Sequence, residues 1–282
     1  MAEILRVAVG QSHVGLDHHE NGREVRQLMR QAADLGAQLV QFPEGAISGY
    51  PSGEGKLRLA GWAVDWAGLK AELEETAELA AELSLWVAAG ANHPLTPPNR
   101  PHNSLYVIDA AGRLAARYDK RLLSHTEVTG WYTPGFEPAL FRLGGFCFGL
   151  SLCIEINFPE LFLDYAARGA EVVLFSSFSE DPMFGVMAQA YAAATNCWFG
   201  VSVPAQCSRA MPSGVIGPNG RWLARCPDDG SAGLVIADLD RSAPDLDVAL
   251  NKARPWRTIA RQGEIYAKAR VDDARSRQRA EF

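Results

Sequence analysis

Residues 146–160 read FCFGLSLCIEINFPE: an apolar, β-forming run that ends in a cysteine and is followed within a few residues by the start of a helix. A thiol so placed stands at a strand-to-helix turn. There, backbone N–H groups and the helix N-terminus favour a thiolate and a developing oxyanion. Cys153 is therefore positioned like a nucleophile. The structural alternative is a small buried core residue, which is what most free cysteines are.

Outward from this turn, short runs rich in Val, Ile, Leu and Phe alternate with longer helical patterns, as in an α/β protein with buried strands. Downstream, the pattern predicts a helix over 159–168, a strand over 172–175, a helix over 183–195 and a strand over 198–203. A hairpin turns at GPNG (217–220), and a last strand covers 233–238. Upstream come a strand over 4–9, a helix capped by Asn21 that stops at Gly36, and a strand over 38–42. A helix over 69–83 and a strand over 86–89 follow, then strands 104–109 and 113–118 joined by a short turn in which Gly112 supplies a positive φ. Helices interleaved with strands and hairpins give an α/β fold with mixed sheets covered by helices, which an α-β-β-α sandwich satisfies.

The 282 residues, 48% hydrophobic, suffice for a large core and are read as a single domain over 1–282, with a C-terminal arm and charged tail from about residue 254. The net charge of −6 is carried without any basic cluster, which argues against nucleic acid as a partner. The opening MAEILRVAVGQ is too short and too acidic for a signal segment, and no later run approaches the roughly 18 apolar residues of a spanning helix. A soluble, cytoplasmic protein away from the membrane is expected. Five cysteines, an odd number, fit a reducing compartment, and neither a CxxC pair nor a tight histidine cluster points to a metal.

Two more segments carry chemistry. In LVQFPEGAISGYP a buried-type strand runs into Pro43 and Glu44, placing a carboxylate at the rim where α/β sheets bind ligands. Glu44 is a candidate general base; the alternative is an ordinary loop acid. In RYDKRLLSHTE a strand ends at Tyr118 and is followed by Lys120 and Glu127. A lysine near a thiol lowers its pKa and offers a fixed positive charge to an oxyanion. The alternative is a solvated loop.

Together, QFPEGAISGY with Glu44, YDK with Lys120 and CIEINFPE with Cys153 resemble, in order and spacing, the three motifs of the nitrilase superfamily of carbon-nitrogen hydrolases. Gln11, GAQLV, HNSLYVID, AGR and ARGAEVVL add to the likeness, which extends from Val7 to about Asp240.

The resemblance implies a Glu-Lys-Cys triad and a thioester mechanism without metal or organic cofactor. Glu44 is the implied base, and Lys120 with the backbone N–H of Ile154 the implied oxyanion donors. Glu127 matches the family's second glutamate, which positions substrate and lysine. Tyr50, Trp131, Tyr132, Phe178 and Trp198 lie near motif ends. Tyr50, Trp131 and Phe178 are the candidate pocket walls, with core packing as the alternative; Trp198, in a strand, is read as core. The other four cysteines are read as structural.

Departures from the pattern bear on subfamily. AAATN (192–196) replaces an Arg-Ala-x-Glu-Asn sequence common in the family, and Arg121 follows Lys120 in place of histidine. Ile154 stands where nitrile-cleaving members usually carry Trp. The seven-residue interval from Lys120 to Glu127 resembles nitrilases, whereas GWYTPG resembles aliphatic amidases. The leading expectation is hydrolysis of a small amide, whether aliphatic, an ω-amide or an N-carbamoyl compound. The alternatives are a nitrilase and a catalytically silent binding module. A homodimer or larger homo-oligomer, joined through C-terminal segments, is implied by the resemblance.

Overall fold

The computed structural model describes residues 4–51 and 64–280. Two six-stranded sheets lie face to face between pairs of helices. At the centre of the first sheet, β1 (Ile4–Gln11), β2 (Leu39–Gln41) and β3 (Trp86–His93) run parallel. They are flanked by antiparallel β4 (His102–Ile108) and β5 (Leu114–Asp119) on one side and β12 (Gly233–Asp240) on the other. The second sheet repeats the plan. Parallel β7 (Phe146–Leu152), β8 (Val172–Ser176) and β9 (Trp198–Ser202) are flanked by β6 (Leu140–Leu143) and by β10 (Gly214–Ile216) with β11 (Trp222–Arg225).

The alternation of side chains explains why these strands read as continuous apolar runs, since both faces are buried. Leu5, Val7 and Val9 meet Phe146, Phe148, Leu150, Leu152 and Trp198 between the sheets. Ala8, Val40 and Phe42 face outward against helices α1 (His18–Asp34) and α2 (Trp66–Leu83). Val173, Phe175 and Phe199 pack likewise on α3 (Pro159–Ala167) and α4 (Met183–Thr195). The four-layer sandwich expected from the sequence is the fold observed.

Two local expectations are corrected. Helix α1 is capped by Asp17, whose side chain accepts the His19 and Glu20 N–H groups; Asn21 lies inside the helix, and its amide binds the carbonyls of Gly15 and Ile47. Strand β7 ends at Leu152 rather than Cys153, because Cys153 takes φ 48°, which no strand accommodates. The arm beyond residue 254 is helical, as α5 (Arg254–Gln262) and α6 (Glu264–Ala269), and the charged tail still forms a short turn at Ala274–Arg277. Arg254 and Arg257 bind the backbone oxygen and side chain of Asn196 at the end of α4, while Trp256 and Ile259 remain exposed.

The C-terminal ends of the two parallel triplets are tied across the sandwich by buried polar contacts. Gln41 donates to Ser176 Oγ (3.1 Å) and to the Gly200 carbonyl (3.2 Å), Ser176 donates to the Phe42 carbonyl (2.7 Å), and Ser202 to that of Gly10 (2.7 Å). These ties fix the strand ends from which Glu44 and Cys153 project.

Candidate active site

Glu44 sits in the turn after β2, Lys120 directly after β5, and Cys153 directly after β7, so three strand ends converge. The turn carrying Glu44 closes over β3 at Gly90, where a Cβ would stand 2.4 Å from the Gly45 nitrogen and 2.8 Å from Glu44 Cα. Glycine is required there by close approach. Cys153 occupies the left-handed region at φ 48° and opens a 3₁₀ turn, Cys153–Asn157. A non-glycine residue held in this region costs on the order of 1–3 kcal/mol and persists where the surroundings impose it.

Lys120 Nζ donates to Glu44 Oε1 at 2.9 Å and to Glu127 Oε1 at 2.7 Å, with all three side chains withdrawn from solvent. An ammonium has three donors, so one is left over. Asn103, on β4, donates to Glu44 Oε1 at 2.7 Å. The other Glu44 oxygen accepts the Phe178 N–H at 2.8 Å, and the carbonyl of the same Phe178 lies 3.7 Å from Cys153 Sγ. Glu127 begins the helical turn Glu127–Trp131; its Oε2 accepts the Ser124 N–H at 2.8 Å and its Oε1 the Tyr50 hydroxyl at 3.0 Å.

Burial and charge act in opposition here. Burial raises the Glu44 carboxyl above the usual range, Lys120 pulls it down, and the neighbouring charge of Glu127 pushes it up again. Burial alone would lower Lys120, but the charges of Glu44, Cys153 and Glu127 outweigh it and hold the ammonium well above its ordinary value. Burial also works against ionised Glu127, yet the Lys120 charge prevails and depresses it. The Cys153 thiol is pushed up to about 12, by burial first and by the Glu44 charge second, which favours the neutral thiol.

The structure therefore brings together Glu44, Lys120, Cys153 and Glu127. Ile154 follows Cys153 at the start of the turn, where backbone N–H groups have no helical acceptor. Of the aromatic candidates, Tyr50 stacks on Phe178 at 5.1 Å between ring centres and meets Trp131 edge-on at 6.1 Å, and all three are half-buried. Tyr132 and Trp198 are core: Tyr132 donates to Asn92, and Trp198 lies between the sheets. Cys147, Cys197, Cys207 and Cys226 are buried free thiols.

Residues without an assignment from the sequence also contribute. Asn103 lies inside HNSLYVID, a strand pattern that gives no sign of its role. Glu155, in CIEINFPE, is fully buried and accepts the N–H groups of Leu152, Arg121 and Leu122. An acid two residues beyond the cysteine, in an otherwise apolar stretch, was the available signal.

The model of the carbon-nitrogen hydrolase family matches residues 6–244. The chain belongs to that family. This hydrolase acts on non-peptide C–N bonds, and its relatives include amidases. Human deaminated glutathione amidase is 29% identical over 263 residues, covering 84% of this chain and 77% of its own. An omega-amidase of Bos taurus is 27% identical over 252 residues, covering 83% and 88% respectively. The amidase of Nesterenkonia sp. AN1 superposes with a TM-score of 0.74 at 21% identity, covering 91% of the hydrolase and 98% of the amidase, a likeness of fold. A mutant of that amidase carries the acetamide moiety of fluoroacetamide on its active site cysteine.

Proposed function

We propose that the hydrolase cleaves a small amide through a thioester on Cys153, with Glu44 as general base and Lys120 as oxyanion donor. The observation that carries this reading is a cysteine held at a left-handed backbone position beside a buried Glu-Lys-Glu cluster. Cys153 attacks the amide carbonyl as its proton passes to Glu44. The oxyanion draws on the remaining Lys120 donor and the Ile154 N–H. Glu44 returns the proton to the departing ammonia or amine. It then takes one from water, which attacks the thioester, and the acid leaves. Glu127 and Tyr50 hold Lys120 in place, and Tyr50, Trp131 and Phe178 wall the acyl site. The names of the relatives place ω-amides among the first substrates to examine.

The exposed Trp256 and Ile259 on α5 support a homodimer or larger assembly through the C-terminal arm. A cytoplasmic setting is in keeping with five free thiols. No helix among the described residues is long and apolar enough to cross a membrane.

The test is ammonia release from a panel of aliphatic amides, ω-amides, N-carbamoyl compounds and nitriles, with Cys153→Ala as control. Release from amides that disappears in the variant supports the reading. Release from nitriles alone replaces it with a nitrilase.

A further inference from the structure

Ser177 lies one residue beyond β8 with its side chain completely buried, yet its hydroxyl meets no hydrogen-bond partner of ordinary geometry. Unpaired buried hydroxyls are costly and rare, and each asks for an explanation. Strand register supplies one. β7 and β8 are parallel with Leu152 opposite Ser176, so the next residues, Cys153 and Ser177, are neighbours about one strand spacing apart, ~4.8 Å.

Side-chain parity agrees. Val173 and Phe175 face the α3/α4 layer in the same cluster as Cys153, and Ser177 continues that series. Ser176 has the opposite parity and turns between the sheets to bind the Phe42 carbonyl. The backbone around Ser177 is fixed on both sides: its N–H donates to the Ser202 carbonyl at 2.8 Å, and the Phe178 N–H donates to Glu44. The hydroxyl lies close enough to Cys153 to favour the thiolate, as Lys120 does, whereas Glu44 and Glu127 oppose it.

We propose that Ser177 is a positioning residue for the nucleophile, its hydroxyl donating to the Cys153 sulfur whenever that sulfur carries negative charge. The proposal rests on Cys153 being the nucleophile. On attack, the S–C bond forms while the thiol proton goes to Glu44, and Ser177 keeps its own proton. On deacylation, the C–S bond breaks and its electron pair returns to sulfur. Ser177 then stabilises the departing thiolate until Glu44 reprotonates it. A hydroxyl used only in charged states explains why it stands unpaired beside a neutral thiol.

Iodoacetamide alkylation of the intact hydrolase, followed by mass spectrometry of the Cys153 peptide between about pH 6 and pH 9, tests this in Ser177→Ala and Ser177→Thr. In the alanine variant the Cys153 rate constant is expected to fall roughly ten- to a hundredfold at every pH, the range for loss of a hydrogen bond to a charged group. Its melting temperature should hold or rise, since an unpaired buried hydroxyl has been removed. Threonine, which keeps the hydroxyl, should restore the native rate. Alkylation in Ser177→Ala that matches or exceeds the native rate overturns the proposal. So does a threonine variant as slow as alanine. Alkylation requires no amide turnover, so failure of the amidase reading is seen separately, as absence of ammonia release from the native hydrolase.

Discussion

The hydroxyl of Tyr118 donates to Glu155 Oε1 at 2.6 Å, a bond that joins the two sheets between the residue two before Lys120 and the residue two after Cys153. The same carboxylate receives the N–H groups of Arg121 and Leu122 on the lysine side and of Leu152 on the cysteine side, at 2.8, 3.1 and 2.8 Å. Glu155 thus sets the distance between two groups that must meet one carbonyl. Glu155→Ala strands several buried donors at ~1–3 kcal/mol each, so chemical denaturation should show a loss of about 3 kcal/mol or more. Turnover should fall at least roughly tenfold as the two segments lose alignment. Tyr118→Phe removes one bond and should cost only about 1 kcal/mol.

Glu127 is held below the ordinary carboxylate range because Lys120 outweighs its burial. A carboxyl depressed on folding adds stability above its unfolded pKa, and that stability is lost as pH falls through the folded value. Glu127→Gln should therefore melt below the native protein at neutral pH, and the gap should close below about pH 4. A gap that persists unchanged in acid would assign the loss to shape rather than charge.

Glu44 is displaced the other way, raised by burial. As the base it must be ionised, so kcat/KM should decline on the acid side with a midpoint above the ordinary carboxylate value. Glu44→Gln should lower turnover by about 10²- to 10⁴-fold and remove that limb from the residual activity. A pH profile unchanged in this variant would exclude Glu44 as the base.

Gly90→Ala places a Cβ 2.4 Å from the Gly45 nitrogen, which the turn carrying Glu44 can relieve only by moving. Overpacking of this kind typically costs about 1–3 kcal/mol. Both melting temperature and turnover should drop, while a distant exposed substitution such as Val271→Ala leaves each in place.

Deletion of the residues beyond Ala253 removes Trp256 and Ile259, the exposed apolar side chains proposed to join subunits. Size-exclusion chromatography with light scattering should show a shift toward monomer. An unchanged mass would place the interface elsewhere.

The sandwich was legible because both faces of its central strands are buried, which leaves uninterrupted apolar runs such as those around Val40 and Val173. Glu44, Lys120 and Cys153 were legible because each closes such a run. Short flanking strands such as β6, four residues long, carry too little pattern to be seen. Asp17 and Asn21 are both good caps, and the long-range hydrogen bond from the Asn21 amide to the Ile47 carbonyl, which engages Asn21 elsewhere, has no local sign. Asn103 and Ser177 are not legible in the sequence for a different reason. Their roles come from long-range register, and polar residues inside apolar strands give no local sign of what stands opposite.

The most direct test of the account is mass spectrometry of the Cys153 peptide, quenched during turnover of an amide that the native hydrolase cleaves. An acyl adduct on Cys153 is expected that forms with ammonia release, decays to the free thiol and is absent from Cys153→Ala, which releases no ammonia. Ammonia released without any adduct, by native protein and Cys153→Ala alike, would contradict it.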